Sequence, residues 1–381
     1  MIIVASNSYK EVMCSYKVNE HIINGCLSSN DLKEKDIFNY PMSDGGDGMN
    51  LTYSYYQKCQ TINIKVRDPI GREAETSILF DEKANIVLIE CANVSGLQMV
   101  PKNRRELSKS WSFGVGDAIK AAKKLNPQKI IIGMGGSGFA DLGVGALTTL
   151  GAIIEVDNNR INIKSGLDIS SLASITKIDL TPVYEFLDNT EIIFLHDVNN
   201  PLLGKTGAAN TYGPQKGASN DQIIMIENIA KKIVNLLSNK YDVDFNRAGI
   251  GAAGGLCLGF LGRKETSLRL GASFFVEISK ILSLDKIPEV LITGEGRFDH
   301  TSFFDKLPKF LVEQTRLKYP NTHIIGVFGQ NWCPKETKTL FNNTYTLDSD
   351  NTVKPIPQLI KVMPNKLNNI GKKIAKIYDT Y

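Results

Sequence analysis

Ile2-Ile3-Val4-Ala5-Ser6-Asn7-Ser8 opens the chain with an apolar run that gives way at once to a polar loop. Val12, Tyr16, Val18, Ile22 and Ile23 follow at helical spacing, so the segment reads as strand, loop, helix. The unit recurs where Asp36-Ile37-Phe38-Asn39-Tyr40-Pro41 runs through Ser43-Asp44-Gly45-Gly46-Asp47-Gly48 into a helix carrying Leu51 and Tyr55. Two such units in succession predict a parallel sheet.

From Thr61 the texture changes to alternating segments, Ile62–Val66 and Glu75–Phe80, split by the turn Asp68-Pro69-Ile70-Gly71. Further buried runs follow at Lys129–Gly133 and Glu191–Asp197, each leading into a polar, glycine-containing stretch. Near Leu284 the simple rhythm returns with Val290–Gly294, His323–Gly329 and Asn343–Leu347. These three strands and the first two make five. The expected architecture is α/β with two domains: a parallel-sheet domain formed by both chain ends, 1–61 and 285–381, and a second α/β domain, 62–284, inserted into it. A chain of 381 residues is also longer than one compact core usually holds.

Composition narrows the function classes. The hydrophobic share of 42% and charged share of 22% match ordinary globular proteins. Net charge is +4, with Lys and Arg dispersed among acids, which is no nucleic-acid footprint; Lys120, Lys123 and Lys124 read as a helix end. No apolar run is long enough to cross a bilayer, and Met1–Val4 enters a strand directly rather than a signal peptide. Six scattered cysteines, none in a C-x-x-C pair, read as buried free thiols of a reduced, cytoplasmic protein. The four histidines share no zinc-ligand spacing.

In open α/β sheets ligands bind beyond the carboxyl ends of strands, which directs attention to four loops. Ser43–Gly48 combines glycines, which let amides approach a phosphate, with carboxylates able to hold Mg²⁺; a plain turn has the same look. Gly133–Gly143 follows a buried strand and precedes a helix whose first amides could cradle an anion, although tight packing also favours glycine. Leu203-Gly204-Lys205-Thr206 imitates the end of a P-loop, but Asn199 stands where that motif needs glycine. The longer stretch from Asp197 to Gly217 is polar and exceeds a mere connector. Thr293–Asp299 crowds Glu295, Arg297 and Asp299 at a strand end, a charge density that a cation or phosphate would relieve and a surface salt bridge would also satisfy.

Taken in order, these segments resemble the bacterial glycerate kinase family. The likeness runs over most of the chain through Ser8-Tyr9-Lys10-Glu11, Asp44-Gly45-Gly46, Asp68-Pro69-Ile70-Gly71, Ile89-Glu90 with Ser95-Gly96-Leu97, and Gly135-Gly136-Ser137. It continues through Asp197-Val198 with Asn200-Pro201-Leu202, Gly213–Ala218, Gly251–Gly255, and Ile292–Arg297 with Asp299. The resemblance implies a flavodoxin-like domain with another inserted into it, and transfer of a phosphoryl group from ATP, with Mg²⁺, to glycerate. The catalytic residues it suggests are Lys10, Asp44, Asp197, Glu295, Arg297 and Asp299, with Asp44, Asp197 and Glu295 as metal ligands. For substrate or phosphate it suggests Ser8, Gly45, Gly46, Gly135, Gly136, Ser137, Asp141, Lys216 and Gly294. These groups are expected to converge on one crevice; assembly is open, with a homodimer as one option. Competing readings are a kinase for another small hydroxy acid and a non-catalytic ligand- or partner-binding paralogue.

The chain departs from the family pattern within the loops. Asn7 stands where the family usually has aspartate, Asp47 and Met49 replace Glu and Thr, and Ala140 and Leu142 replace Asn and Gly. Thr301 and Asp305 stand in place of Gln and Gly.

Overall fold

A computed structural model describes the chain except for residues 29–31, 163–166, 304–305, 349–351, 353 and 379–381. Asp305 therefore lies outside the described residues. The strands, in chain order, are β1 (Ile2–Val4), β2 (Ile37–Asn39), β3 (Gln60–Arg67), β4 (Glu73–Asp81), β5 (Ile86–Glu90), β6 (Lys129–Gly133) and β7 (Ile153–Val156). They continue with β8 (Asn159–Ile161), β9 (Ile175–Asp179), β10 (Glu191–His196), β11 (Thr266–Leu270), β12 (Val290–Phe298), β13 (His323–Asn331) and β14 (Asn343–Thr346).

The chain forms two compact units, one from Met1–Tyr56 with Gly271–Tyr381 and the other from Gln57–Leu270. The sequence reading draws the return to the first unit at residue 285; in the structure the crossing falls at Gly271. Helix Gly271–Ser279 lies with the first unit because its apolar face packs there, Phe274 stacking on Tyr53 with ring centroids 6.3 Å apart.

The first unit holds a five-stranded sheet ordered β14-β13-β12-β1-β2, with every neighbouring pair parallel. These are the five strands read from the sequence, two of them longer than expected. β12 continues to Phe298 and β13 to Asn331, so Glu295 and Arg297 sit within a strand, not in a loop after it. Each strand supplies the other's ladder bonds over that extension, which outweighs the turn tendency of Gly294 and Gly296. Ile2, Val4, Ile37, Val290, Ile292, Ile325 and Val327 of the sheet join one buried cluster. Burying each such side chain contributes about 1.5–3 kcal/mol.

The second unit carries a six-stranded sheet ordered β11-β10-β6-β5-β4-β3 and a small antiparallel sheet ordered β8-β7-β9. Its centre is parallel and its β3–β4–β5 wing antiparallel. The residue patterns show why. β10 is buried along nearly its whole length, as a strand covered on both faces requires, whereas β3 alternates exposed and partly covered residues. No helix among the described residues is long and apolar enough to cross a membrane.

Candidate active site

In the first unit the chain runs from β1 to β2 on one side and returns as β12 on the other, so β1 and β12 flank a reversal of strand order. Such a switch point opens a crevice at the strands' carboxyl ends. Asn7 sits there just beyond β1, its N–H donating to the Gly294 carbonyl at 2.8 Å. Its side-chain amide donates to Asp44 Oδ2 at 2.7 Å, while its Oδ1 accepts the Ser8 N–H at 2.8 Å. The neutral residue where an acid is usual thus holds the neighbouring carboxylate, a contact that two anions could not make without sharing a proton.

The Ser43–Gly48 loop is fixed from inside and from behind. Ser43 Oγ accepts the Gly45 N–H and Asp44 Oδ1 the Gly46 N–H, both at 3.2 Å. Behind the loop, a Cβ on Gly271 would overlap the Asp44 carbonyl oxygen and lie 2.8 Å from Gly45 N. Gly271 is therefore a support that sequence reading missed, since nothing local marks a glycine whose role is close approach to a distant loop. Gly271→Ala is expected to lower stability by about 1–3 kcal/mol through forced backbone movement at Asp44, read from the denaturation midpoint of the full chain.

Glu295 faces this loop from β12 and is buried, with Oε1 lacking any hydrogen-bond partner. Burial pushes its carboxyl up to about 7, against the Lys306 ammonium and a Ser302 hydrogen bond, while Asp44 and Asp299 push it further up. Asp299 shows the opposite balance. Burial raises its carboxyl, but the Thr301 hydroxyl, Lys306, the Thr301 N–H and Arg297 together hold it below the usual carboxylate range. Thr301, at a position where the family usually has Gln, thus serves to fix Asp299. Ser302 and Lys306 join this group although the sequence reading gave neither a role; both lie just beyond the motif, where only the tertiary turn brings them back.

Lys10 and Arg297 stand at the margin of this group. Lys10 is exposed and lies 3.8 Å from Asp47, an ion pair worth little in water. The exposed Arg297 binds Asp299 at 3.1 Å and stacks over Trp332 at 4.9 Å. Ser8 donates to the Asp47 carbonyl at 2.9 Å.

A second cluster belongs to the other unit, at the carboxyl ends of β5, β6 and β10. The loop after β6 is stitched to Ser95–Leu97: Leu97 N–H donates to the Gly136 carbonyl and Gly138 N–H to the Ser95 carbonyl. Among the described residues no acceptor takes the N–H of Gly135, Gly136 or Ser137. Gly136, at φ +70°, supplies the left-handed backbone that turns successive amides toward one side, a concave anion-binding arrangement. Lys216, buried, points into the same loop, its Nζ donating to Ser137 Oγ at 3.1 Å and to the Phe139 carbonyl at 2.7 Å.

The sequence reading placed the anion cradle at the following helix and Asp141 among its ligand contacts. In the structure both are engaged within the loop itself. Helix Val144–Thr149 is closed off by Asp141 itself, whose carboxylate accepts from Gly143 N, Gly145 N, Ser112 N and Ser112 Oγ. Asp141 is wholly buried and its carboxylate is spent on building the loop. Burial raises its carboxyl, and these four donors pull the other way. Leu142 next to it takes φ +58°, a conformation in which the family's usual glycine is unstrained; burial of its side chain offsets that strain. Asp197, just beyond β10, is half-buried and belongs to this second unit, whereas Asp44 and Glu295 belong to the first. The P-loop imitation is a surface turn, Gly204 N–H donating to Glu227 Oε1 at 2.6 Å.

Among the described residues no group of three or more His, Cys, Asp or Glu could hold a metal ion. Mg²⁺ asks for less: one or two carboxylates, with water and substrate phosphates completing its shell. Asp44 and the partnerless buried oxygen of Glu295 fit that demand.

Each unit is an α/β frame, one carrying an acidic group at a strand switch point and the other a lysine-backed loop of amides, features that a phosphotransferase needs. A family model described as the glycerate kinase family matches residues 2–379, and the chain belongs to that family of small-molecule kinases. It is 30% identical over 308 residues to a glycerate kinase of Haemophilus influenzae, covering 80% of each chain. To a glycerate 2-kinase of Escherichia coli it is 30% identical over 333 residues, covering 86% of this chain and 84% of the other. A crystal structure from Salmonella typhimurium LT2, described as a candidate glycerate kinase 2, superposes with a TM-score of 0.80 at 26% identity, covering 100% and 98% of the two chains. Membership implies ATP as phosphoryl donor.

Proposed function

We propose that this protein phosphorylates glycerate with ATP and Mg²⁺, and that Glu295 carries the reading. A carboxylate buried at a switch point, with one oxygen left without a partner, is a standing cost that a bound cation removes. Asp44 and Glu295 would hold Mg²⁺, which when bound neutralises the charge of the transferring phosphoryl group. Asn7 fixes Asp44, and Asp299, held in place by Thr301 and Arg297, would contact the substrate's hydroxyl. The amides of Gly135, Gly136 and Ser137, with Lys216, receive phosphate oxygens; Gly45, Gly46 and Ser8 shape the approach to Asp44, and Gly294 admits the backbone of β13.

Purified protein with ATP, Mg²⁺ and D-glycerate should give a phosphoglycerate signal by ³¹P NMR, whose shift identifies the hydroxyl modified. Absence of turnover together with absence of magnesium-dependent nucleotide binding by calorimetry defeats the proposal. A hydroxy acid turned over far better than glycerate would move the assignment to another substrate.

Lys216→Met is expected to lower kcat/KM about 100-fold, the loss usual for one preorganised donor to a developing anion. Nucleotide affinity should fall with it. Unchanged kinetics would remove Lys216 from the phosphate site.

A further inference from the structure

A basic cavity lies in the unit formed by Gln57–Leu270 and shares no residue with the candidate active site. Its volume is about 590 Å³, and its wall includes Arg67, Lys120, Arg160, Thr148 and Thr149 but no Asp or Glu. We propose that this cavity is a binding site for a small phosphate-bearing anion, separate from the site of phosphoryl transfer.

Arg67 is the anchor. Asp117 takes its Nε and Nη2 hydrogens at 2.9 and 2.7 Å, Thr149 Oγ1 accepts from Nη2 at 2.8 Å, and the guanidinium lies 4.7 Å from the centre of the Phe113 ring. Held on one edge and on one face, it keeps its Nη1 hydrogens uncommitted among the described residues, so little rotamer freedom remains to be lost when an anion arrives. Lys120 on helix Phe113–Lys123 and Arg160 on β8 add two more cations, and among the described residues neither forms an ion pair. The single carboxylate bound to the group, Asp117, offsets one of three positive charges. A doubly charged phosphate matches the remaining charge and accepts the Nη1 hydrogens left on Arg67.

The cavity also abuts structure that matters to the phosphate-side loop. Thr148 and Thr149 end the helix whose opposite end is capped by Asp141, so a ligand there bears on the element that holds Gly133–Gly143 in place.

The test is an amide NMR titration of the full-length protein with inorganic phosphate, at constant ionic strength set by chloride. Saturable shifts at Thr148, Thr149, Gly151 and Ala152 are expected. The Lys120→Ala/Arg160→Ala protein, altered only at exposed cations, should fold as the wild type and bind phosphate at least about tenfold more weakly at these amides. Parallel titrations with glycerate and phosphoglycerate separate the sources: phosphoglycerate binding while glycerate does not supports the phosphate assignment. Glycerate binding as tightly as phosphate overturns that assignment. Shifts that follow chloride equally, or that survive the double substitution unchanged, overturn the site.

Discussion

Glu295→Gln is expected to abolish nearly all turnover while making the metal-free protein more stable above neutral pH. The amide keeps the side chain's size but offers a cation no charge, so kcat/KM should fall by about 10³ or more. Stability moves the other way because the wild-type carboxyl titrates from an ordinary 4.5 up to about 7 in the folded protein. Between those values the folded chain binds more protons than the unfolded one, so stability falls as pH rises through that window. The full cost, reached above pH 7, is about 3 kcal/mol. Glutamine does not titrate. Its advantage over the wild type should therefore be absent below pH 4.5, grow through the window and level off above it, in denaturant midpoints recorded with chelator. Adding Mg²⁺ should stabilise the wild type and leave the variant unmoved. A variant that melts lower than the wild type at pH 8, or that keeps its rate, removes Glu295 from the centre of the site.

Asp141→Ala carries the largest expected loss of stability. Four donors converge on this carboxylate, from Ser112 and from the start of the following helix, and none of them is near water. Alanine leaves them unpaired in a buried space, at a cost of about 3–5 kcal/mol. Ser112 Oγ also accepts the Ala146 N–H, so the damage should spread along the helix. Hydrogen exchange should quicken at Gly143, Gly145 and Ala146, and the unfolding midpoint should drop; Asp141→Asn, which restores part of the bonding, should lose less. A variant as stable as the wild type, with protected amides, would show that the loop is built by other contacts.

Much of the architecture is legible because strand-loop-helix rhythm is local. Ile2–Ala5, Val290–Gly294 and His323–Gly329 announce themselves as buried strands, and their distribution at both chain ends announces one shared sheet. The extension of β12 to Phe298 was not legible, since Gly-Glu-Gly-Arg has a loop's composition and only pairing with β13 makes it strand. The site divides in the same way. Its glycines and charges stand in the sequence, but the sequence could not separate Asp141, spent on its own loop, from Glu295, left with an unpaired oxygen. Gly271, Ser302 and Lys306 gave no signal at all, because their importance lies in what approaches them.

By itself, then, the sequence determined the α/β class, the pairing of both chain ends in one sheet and the loops from which a site is drawn, all consequences of short-range periodicity and residue type. Tertiary structure alone decided which amides lack an acceptor among the described residues, which carboxylate is bonded internally and which keeps an oxygen without a hydrogen-bond partner. The physical reason is that hydrogen-bond satisfaction and desolvation depend on neighbours far apart along the chain: Glu295 lies close enough to Asp44 to feel its charge, and Lys216 donates to Ser137.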